Sequence, residues 1–266
     1  MELGLAGRRA IVTGGSKGLG KAIAAELLAE GAAVAICSRH ADELEEAAAE
    51  LRTAAGLEQH PRQLVALTCD VTDPAQVTDF VAAATAAIGG LDILVNNAGG
   101  ARPGRFATLT DEDWHEDIEV KLFSQIRCIR AALPHLRASA APRVININAL
   151  YARYPDPAFL ASSVNRASCL SLSKALSIEL GTEGILVNSV NIGFVETPQW
   201  QNIHSKRAPE MPADEFFGQL AKAEVPLGRF GRSDEVAGLV AFLASDRASY
   251  IAGASIDVGG GMGKFL

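Results

Sequence analysis

A glycine-rich turn at residues 13–20 has the residue types and spacing that bind phosphate groups. It follows an apolar run at residues 9–12, and a helical pattern follows it. In this strand–turn–helix context Gly14 permits a tight turn, Gly18 lets the backbone approach a pyrophosphate, and Gly20 allows close packing of helix on strand. The N-terminal N–H groups and dipole of the helix would face the phosphates. The turn predicts a nucleotide-binding site, although a turn merely rich in small residues could have the same sequence.

The rest of the chain alternates strand-like runs with helical patterns, which predicts a parallel sheet with helices on both faces. The predicted strands are residues 9–12, 33–37, 63–67, 91–95, 143–147, 185–190 and 255–258. The predicted helices are residues 21–28, 42–55, 73–88, 110–137, 163–180 and 234–244. Asp73 before Pro74, and Thr110 three residues before Asp113, are helix-start signals. Residues 194–225 are less regular. One domain over residues 1–266 accounts for this pattern better than two.

Composition argues against several classes of protein. A net charge of −7 disfavours nucleic acid as a partner. No apolar segment reaches the length of a membrane span, and the N-terminus has no signal-peptide pattern. The four cysteines are widely spaced, which predicts reduced thiols and no metal site: Cys37, Cys69, Cys128 and Cys169. We therefore expect a cytoplasmic protein without a membrane partner.

Further motifs follow the glycine turn in a fixed order. They are Asp70-Val71, Asn96-Asn97-Ala98-Gly99, residues 191–197 and Asp257-Val258-Gly259-Gly260. With the turn, they make nearly the whole chain resemble the short-chain dehydrogenase/reductase family. The resemblance implies an α/β doubly wound (Rossmann) fold with a seven-stranded parallel sheet of order 3-2-1-4-5-6-7. A nicotinamide dinucleotide would lie at the carboxyl ends of the strands. The family's proline before Gly193 is Ile192 here.

The resemblance also implies roles for individual residues. Asp70 would hydrogen-bond the adenine, residues 97–99 would pass beside the riboses, and Val195 with Thr197 would meet the nicotinamide amide. The residues expected to bind the cofactor are Gly14, Ser16, Lys17, Gly18, Leu19, Gly20, Ser38, Arg39, Asp70, Val71, Asn97, Ala98, Gly99, Gly193, Val195 and Thr197.

The end of the second predicted strand bears on the choice of cofactor. An acid at this position accepts hydrogen bonds from the ribose hydroxyls and repels a 2′-phosphate. Ser38 stands there instead, Arg39 follows it, and Lys17 adds a cation within the turn. Two cations without a carboxylate favour NADP(H), since arginine pairs with phosphate in a bidentate manner. Solvated surface cations are the alternative interpretation.

The catalytic positions differ from the family's Asn, Ser, Tyr and Lys. Alignment of the helix at residues 163–180 puts Ser162 at the tyrosine position and Arg166 at the lysine position. Ala149 stands at the serine position and Lys121 at the asparagine position. An alkyl hydroxyl is a far weaker acid than a tyrosine, whose reference pKa is about 10. Arg166 stays protonated and cannot relay a proton, so the family's usual mechanism is absent.

Three groups could compensate for these losses. Lys121 would face the site and donate a proton or hold an oxyanion, with its pKa depressed by burial and by Arg166. Arg166 would hold the nicotinamide ribose and supply positive charge. A phenol from Tyr151 or Tyr154 could turn toward the pocket, although the preferred interpretation of both is ordinary loop aromatics flanking Pro155 and Pro157. The alternative for Lys121 is a surface lysine on an amphipathic helix.

The sequence supports one leading hypothesis and two rivals. The first is an NADPH-dependent oxidoreductase acting on a carbonyl or alcohol of a small, partly apolar substrate. The second is an NADPH-binding sensor or partner subunit without turnover, and the third is a lyase or isomerase on the same scaffold. The substrate itself is not predicted.

Two further expectations concern assembly and motion. The resemblance implies a homo-tetramer or homodimer, formed by helices that include the apolar positions Ile118, Leu122, Ile126 and Ile129 and residues 168–180. The alternative is that these apolar stripes pack on the sheet. Residues 194–225, with Trp200, Phe216 and Phe217, are predicted to form a mobile lid over the substrate.

Overall fold

The described residues, 2–57 and 63–263 in a computed structural model, contain one seven-stranded parallel sheet. Its strands are β1 (Arg9–Thr13), β2 (Ala33–Ser38), β3 (Leu64–Thr68), β4 (Ile93–Asn96), β5 (Arg143–Ala149), β6 (Leu186–Ile192) and β7 (Ser255–Val258). Their order is β3-β2-β1-β4-β5-β6-β7, and every neighbouring pair is parallel. The predicted doubly wound fold is therefore confirmed. Its carboxyl edge collects residues from most of the strands.

Helices cover both faces of the sheet. They are α1 (Gly18–Ala29), α2 (Ala41–Ala54), α3 (Pro74–Ile88), α4 (Asp111–Ile118), α5 (Ser124–Arg137), α6 (Leu160–Glu179), α7 (Pro198–Arg207), α8 (Ala213–Glu224) and α9 (Ser233–Ala244). Short 3₁₀ turns lie at Leu150–Ala152, Leu180–Glu183 and Asp246–Ala248. Side chains of α1, α2 and α9 form one core layer, and those of α3 and α5 form another on the opposite face. The last strand and helix were predicted closely, and the other boundaries differ by a few residues.

The central strands are apolar because both of their faces are covered. In β1, Val12 packs into the layer of α1 and α9, whereas Ile11 packs into the layer of α3 and α5. Both side chains are fully buried. Burial of each such side chain contributes about 1.5–3 kcal/mol, so the strand that carries the glycine turn is held rigidly between the two layers.

Two helix starts follow the sequence signals. The Asp73 side chain accepts hydrogen bonds from the N–H groups of Ala75 and Gln76 at the start of α3. Thr110 and Asp113 form the predicted capping box at the start of α4. These caps satisfy N–H groups that an α-helix leaves without internal partners.

The long helix predicted for residues 110–137 is interrupted. A π-helical turn at Glu119–Phe123, here called the π turn, separates α4 from α5. The helix on its N-terminal side lies against α6, while α5 packs on α3 and β4. Such turns hold one residue more than an α-helical turn, and they are frequent at functional sites. Hydrophobic periodicity could not locate this extra residue, since the apolar pattern runs through it.

The segment at residues 194–225 is more regular than its sequence indicated, because α7 and α8 occupy most of it. The periodicity of α7 is weak because Trp200 and Ile203 are its only buried residues. Trp200 packs edge-on against Phe194 and Phe230, with ring centroids 4.6 and 5.2 Å apart. An aromatic cluster thus anchors this part of the chain.

The structure bears on the predicted state of the cysteines and on the predicted lack of a membrane span. All four cysteines are buried and free. Among the described residues, no helix combines the length and the apolarity that crossing a bilayer requires. The cytoplasmic location stays a prediction.

Candidate active site

A large cleft lies along the carboxyl edge of the sheet, with a volume of about 1290 Å³. Every residue predicted to bind the cofactor lines this cleft. So do three of the four predicted catalytic residues, Lys121, Ser162 and Arg166. Tyr154 is the exception. The fold therefore brings together residues from seven parts of the sequence on the wall of one cleft.

The glycine turn leaves room and donors for a phosphate group. Gly14 and Gly18 have φ angles of 68° and 54°, which side-chain-bearing residues rarely adopt. A Cβ atom at Gly20 would collide with the carbonyl oxygen of Gly14, so the helix packs on the turn as predicted. Lys17, at the N-cap of α1, provides no side-chain cap. The first N–H groups of α1 are therefore available to phosphate oxygens, and the turn fits a pyrophosphate.

A hydrogen-bond cluster ties the loop after β4 to the glycine turn. The Thr13 hydroxyl oxygen accepts hydrogen bonds from the N–H groups of Asn97 and Ala98, both at 3.0 Å. The Asn97 side-chain amide donates to the carbonyl oxygens of Thr13 and Gly14, at 2.9 and 3.2 Å. Thr13 was not singled out from the sequence, although a hydroxyl at the end of β1 was a visible signal. Its contacts fix the loop that was predicted to pass beside the riboses.

The two predicted phosphate-binding cations, Lys17 in the glycine turn and Arg39 after β2, both line the cleft. Ser38 is the last residue of the strand, and Arg39 follows it on the cleft wall. The Lys17 ammonium donates to a carboxylate oxygen of Glu43 on α2 at 2.9 Å. Glu43 was missed in the sequence because it lies 26 positions after Lys17 and belongs to none of the motifs. This exposed ion pair is weak, so an incoming phosphate can compete with Glu43 for Lys17.

The predicted adenine contact is held by a local turn. One carboxylate oxygen of Asp70 accepts hydrogen bonds from the N–H and the hydroxyl of Thr72, at 2.9 and 2.8 Å. These bonds orient the carboxylate where β3 ends. Asp70 and Val71 both line the cleft, in agreement with the predicted position of the adenine.

Lys121 is almost completely buried in the wall of the cleft, with 1% of its surface exposed. The alternative of a surface lysine is therefore wrong. Its ammonium donates to Asp117 and to the hydroxyl oxygen of Ser162, the latter at 2.8 Å. Burial and the positive charge of Arg166 lower the pKa of Lys121 to about 8, although Asp117 opposes the shift. The direction and both causes were predicted, and a pKa of about 8 suits proton transfer near neutral pH.

Ser162 holds the lysine in place. Its hydroxyl oxygen accepts from Lys121 and from the N–H of Arg102, which is 3.1 Å away. These bonds occupy both acceptor positions of the hydroxyl. The nearest acceptors for its own proton, the carbonyl oxygen of Arg102 and a carboxylate oxygen of Asp117, are each 3.4 Å away. Ser162 therefore anchors two segments, and its proton has only weak partners.

Arg166 lies beneath the loop at residues 97–99. Its guanidinium donates to the carbonyl oxygen of Ile147 at 2.8 Å, and it is the first group that a Cβ atom at Gly99 would meet. Burial lowers the pKa of Arg166, but a guanidinium stays protonated in proteins. With one carboxylate, Asp117, against two cations, the site carries an excess of positive charge. That excess favours negative charge developing on a bound oxygen atom.

The two tyrosines considered as alternative acids are placed differently. Tyr151 lines the cleft and stacks on Phe159, with ring centroids 5.3 Å apart. Burial and a hydrogen bond with Asp156 raise the pKa of Tyr151, which is the wrong direction for an acid at neutral pH. Tyr154 is half-buried and does not contribute to the cleft wall. Its catalytic role stays a prediction that the geometry does not favour.

Comparisons with known proteins agree with this architecture. A family model described as enoyl-(acyl carrier protein) reductase matches residues 14–263. A putative ketoacyl reductase of the monensin polyketide synthase of Streptomyces virginiae is 37% identical over 261 residues, covering 97% of this chain and 98% of the relative. The chain belongs to the short-chain dehydrogenase/reductase family. Among short-chain reductases, the 3-oxoacyl-[acyl-carrier-protein] reductase of Escherichia coli is 35% identical over 96% of this chain and 97% of its own length.

Two solved structures of short-chain enzymes are particularly similar. An NADPH-bound short chain oxidoreductase from Pseudomonas aeruginosa, described as containing an atypical catalytic center, is 38% identical. It superposes with a TM-score of 0.89 and covers 97% of this chain and 98% of its own. L-Sorbose reductase from Gluconobacter frateurii, complexed with NADPH and L-sorbose, is 31% identical with a TM-score of 0.94 and full coverage of both chains.

Proposed function

We propose that the protein is an NADP(H)-dependent oxidoreductase that interconverts a carbonyl group and an alcohol on a small, partly apolar substrate. The observation that carries this proposal is the position of the buried Lys121 ammonium on the wall of the cleft that the cofactor motifs line. Ser162 at 2.8 Å and the positive charge of Arg166 accompany it. A proton donor and a cationic site thus replace the family's tyrosine and lysine.

The cofactor assignment rests on the cleft and on the relatives. The open N-terminus of α1 offers donors for a pyrophosphate, and Lys17 and Arg39 offer cations for a 2′-phosphate. Two of the most similar solved structures, from Pseudomonas aeruginosa and Gluconobacter frateurii, contain NADPH. The residues listed above as cofactor-binding are proposed to hold it.

In carbonyl reduction, the bound cofactor supplies the hydride that adds to the carbonyl carbon. Lys121 donates a hydrogen bond to the carbonyl oxygen and then transfers one proton to it, which completes the alcohol. Arg166 stabilises the negative charge that develops on this oxygen during the reaction. In the oxidative direction, neutral Lys121 accepts the hydroxyl proton. Protonated Lys121 is required for reduction, so reduction should slow as the pH rises through about 8.

The cleft wall beyond Lys121 supports a substrate of mixed character. Tyr151, Phe159 and Trp200 provide aromatic surface, and Gln199 and Asn202 provide amide groups. Aromatic surface with a few polar groups is typical of sites for small molecules.

A direct assay tests the proposal. Purified protein is mixed with NADPH and with L-sorbose, a β-ketoacyl thioester and an apolar diketone in turn, and NADPH oxidation is followed by absorbance. We expect NADPH to bind and at least one carbonyl compound to be reduced. Binding without turnover across a broad carbonyl panel would support the sensor or partner-subunit alternative. Conversion of a substrate without NADPH oxidation would support a lyase or isomerase.

We propose that the protein forms a homo-oligomer, a dimer or tetramer, through α5 and α6. Val164 and Ile178 on α6 are 48% and 68% exposed, whereas Ile129 on α5 is buried inside the subunit and is withdrawn from the predicted interface. Replacing Val164 and Ile178 together by glutamate should lower the oligomeric mass measured by light scattering. Phe106→Glu, at another exposed apolar position, should leave the mass unchanged. A wild-type protein of monomeric mass would rule this assembly out.

We also propose that residues 194–225 act as a lid. Trp200 lies on the cleft wall, whereas Ala221 is the only buried residue of α8. Amide hydrogen exchange in α7 and α8 should slow when NADPH and a substrate bind, because closure excludes water from the site. Exchange in α3 serves as the internal reference. Unchanged exchange in both lid helices would contradict the proposal.

A further inference from the structure

We propose that Asp117 is a positioning residue, which holds the Lys121 ammonium in the orientation needed to meet a substrate oxygen. This inference rests on the proposed role of Lys121 as the proton donor. Asp117 was not predicted from the sequence, and the family resemblance assigns it no role. It occupies the last turn of α4, four residues before Lys121 in the π turn.

Both oxygens of the Asp117 carboxylate have partners. One oxygen accepts from the Lys121 ammonium, and the other accepts from the Asn165 side-chain amide at 2.8 Å. The side chains of Asp117 and Lys121 are each 1% exposed. The carboxylate is therefore fixed from α6 on one side and fixes the lysine on the other.

The contacts with Asp117 and Ser162 determine how many N–H donors of the Lys121 ammonium remain for a substrate. A lysine ammonium has three N–H donors. Asp117 and Ser162 take two of them, in directions set by α4 and α6. Since Lys121 also lines the cleft, the third N–H is the one left for a substrate oxygen. Without Asp117, the ammonium would lose the contact that defines this direction.

Asp117 also keeps the lysine protonated. The titratable groups that act on Lys121 are Asp117 on α4 and Arg166 and Cys169 on α6. Arg166 disfavours the ammonium, whereas the Asp117 carboxylate favours it. Removing the carboxylate would leave two buried cations together, and the lysine would release its proton at lower pH.

Stability alone does not require this ion pair. Apolar side chains often replace a buried ion pair without loss of stability, because the pair pays a large desolvation penalty. A buried acid beside a buried lysine on the cleft wall is therefore better explained by its effect on the lysine than by folding.

The test compares wild type with Asp117→Asn, both bound to NADPH. Lysine side chains are labelled with ¹³C at Cε, and their NMR signals are followed from pH 6 to pH 11. The chain has seven lysines, and the Lys121 signal is the one that Lys121→Met lacks. We expect the midpoint for Lys121 to fall from about 8 by about one pH unit or more in Asp117→Asn. Asp111→Asn, at an exposed position of the same helix, should leave it unchanged.

Activity gives a second readout. With a carbonyl compound that wild type reduces, the pH at which kcat falls should move down with the Lys121 midpoint, while the NADPH affinity stays within about twofold. In a Lys121→Met background, Asp117→Asn should cause no further loss of kcat, since Asp117 acts through the lysine. An equal loss in both backgrounds would identify a merely structural role and overturn the inference.

The outcomes separate the two proposals. If the Lys121 midpoint shifts but no carbonyl compound is reduced, the positioning contact stands and the proposed function fails. If a carbonyl is reduced and the midpoint does not shift, Asp117 has no such role. Should Asp117→Asn fail to fold, Asn165→Ser decides, because it frees one carboxylate oxygen but retains the ion pair. It should lower kcat at least threefold at unchanged NADPH affinity, and an unchanged kcat would overturn the inference.

Discussion

Lys121→Met is expected to lower turnover by about a hundredfold or more while leaving NADPH affinity nearly intact. Methionine has similar length and keeps the apolar contacts of the lysine stem, but it cannot donate a proton. Lys121 is the one cation of the site whose pKa, about 8, permits proton transfer near neutral pH. Steady-state kinetics with a reducible carbonyl compound and fluorescence titration with NADPH measure the two effects separately.

Control variants identify which group is the acid. Ser162→Ala should cost much less than Lys121→Met, because the hydroxyl holds the lysine but has no strong acceptor for its own proton. Lys174→Met, at a surface position outside the cleft, should behave as wild type. Normal turnover by Lys121→Met combined with an inactive Tyr154→Phe would show that the phenol is the acid and that our assignment is wrong.

NADPH is expected to bind at least tenfold more tightly than NADH, a difference of about 1.4 kcal/mol or more. The 2′-phosphate would meet Arg39 and Lys17, and the strand end offers Ser38 in place of a repelling acid. Bidentate pairing with a guanidinium accounts for most of this preference. Titration of wild type with both cofactors gives the ratio directly.

Variants of the residues expected near the 2′-phosphate test which side chains cause the preference for NADPH. Arg39→Ala should reduce the preference for NADPH by weakening NADPH binding alone, since NADH has no phosphate at that place. Arg247→Ala, an exposed arginine outside the cleft, is the matched control. Glu43→Gln should strengthen NADPH binding modestly, because it releases Lys17 from a competing carboxylate. Equal affinities of wild type for the two cofactors would contradict the assignment of Arg39.

The strands and the cofactor cleft could be predicted from the sequence because short stretches of neighbouring residues indicate them. The strands β1 and β2 are continuous apolar runs, and the turn between β1 and α1 requires glycine at fixed positions. Such signals depend on the backbone and on neighbouring residues. The order of the strands came from the family resemblance, since the runs themselves do not specify their neighbours.

The polar contacts of the site could not be predicted in the same way. Asn165 bonds Asp117 from 48 positions away, and Thr13 bonds Asn97 from 84 positions away. Only the folded chain places these side chains within hydrogen-bond distance. The spacing of Asp117 and Lys121 was a visible signal, because residues four apart share a helix face. That spacing alone does not distinguish a buried pair from a surface pair.

The π turn makes the position of Lys121 sensitive to chain length. It joins α4, which lies against α6, to α5, which packs on α3 and β4. Each residue of an α-helix advances the side-chain direction by roughly 100°. Deleting a residue other than Lys121 from Glu119–Phe123 would restore a regular helix but would rotate α4 by about that angle relative to α5. Asp117 would then leave Asn165, so a single-codon deletion could disable the site with every side chain of the cluster still encoded.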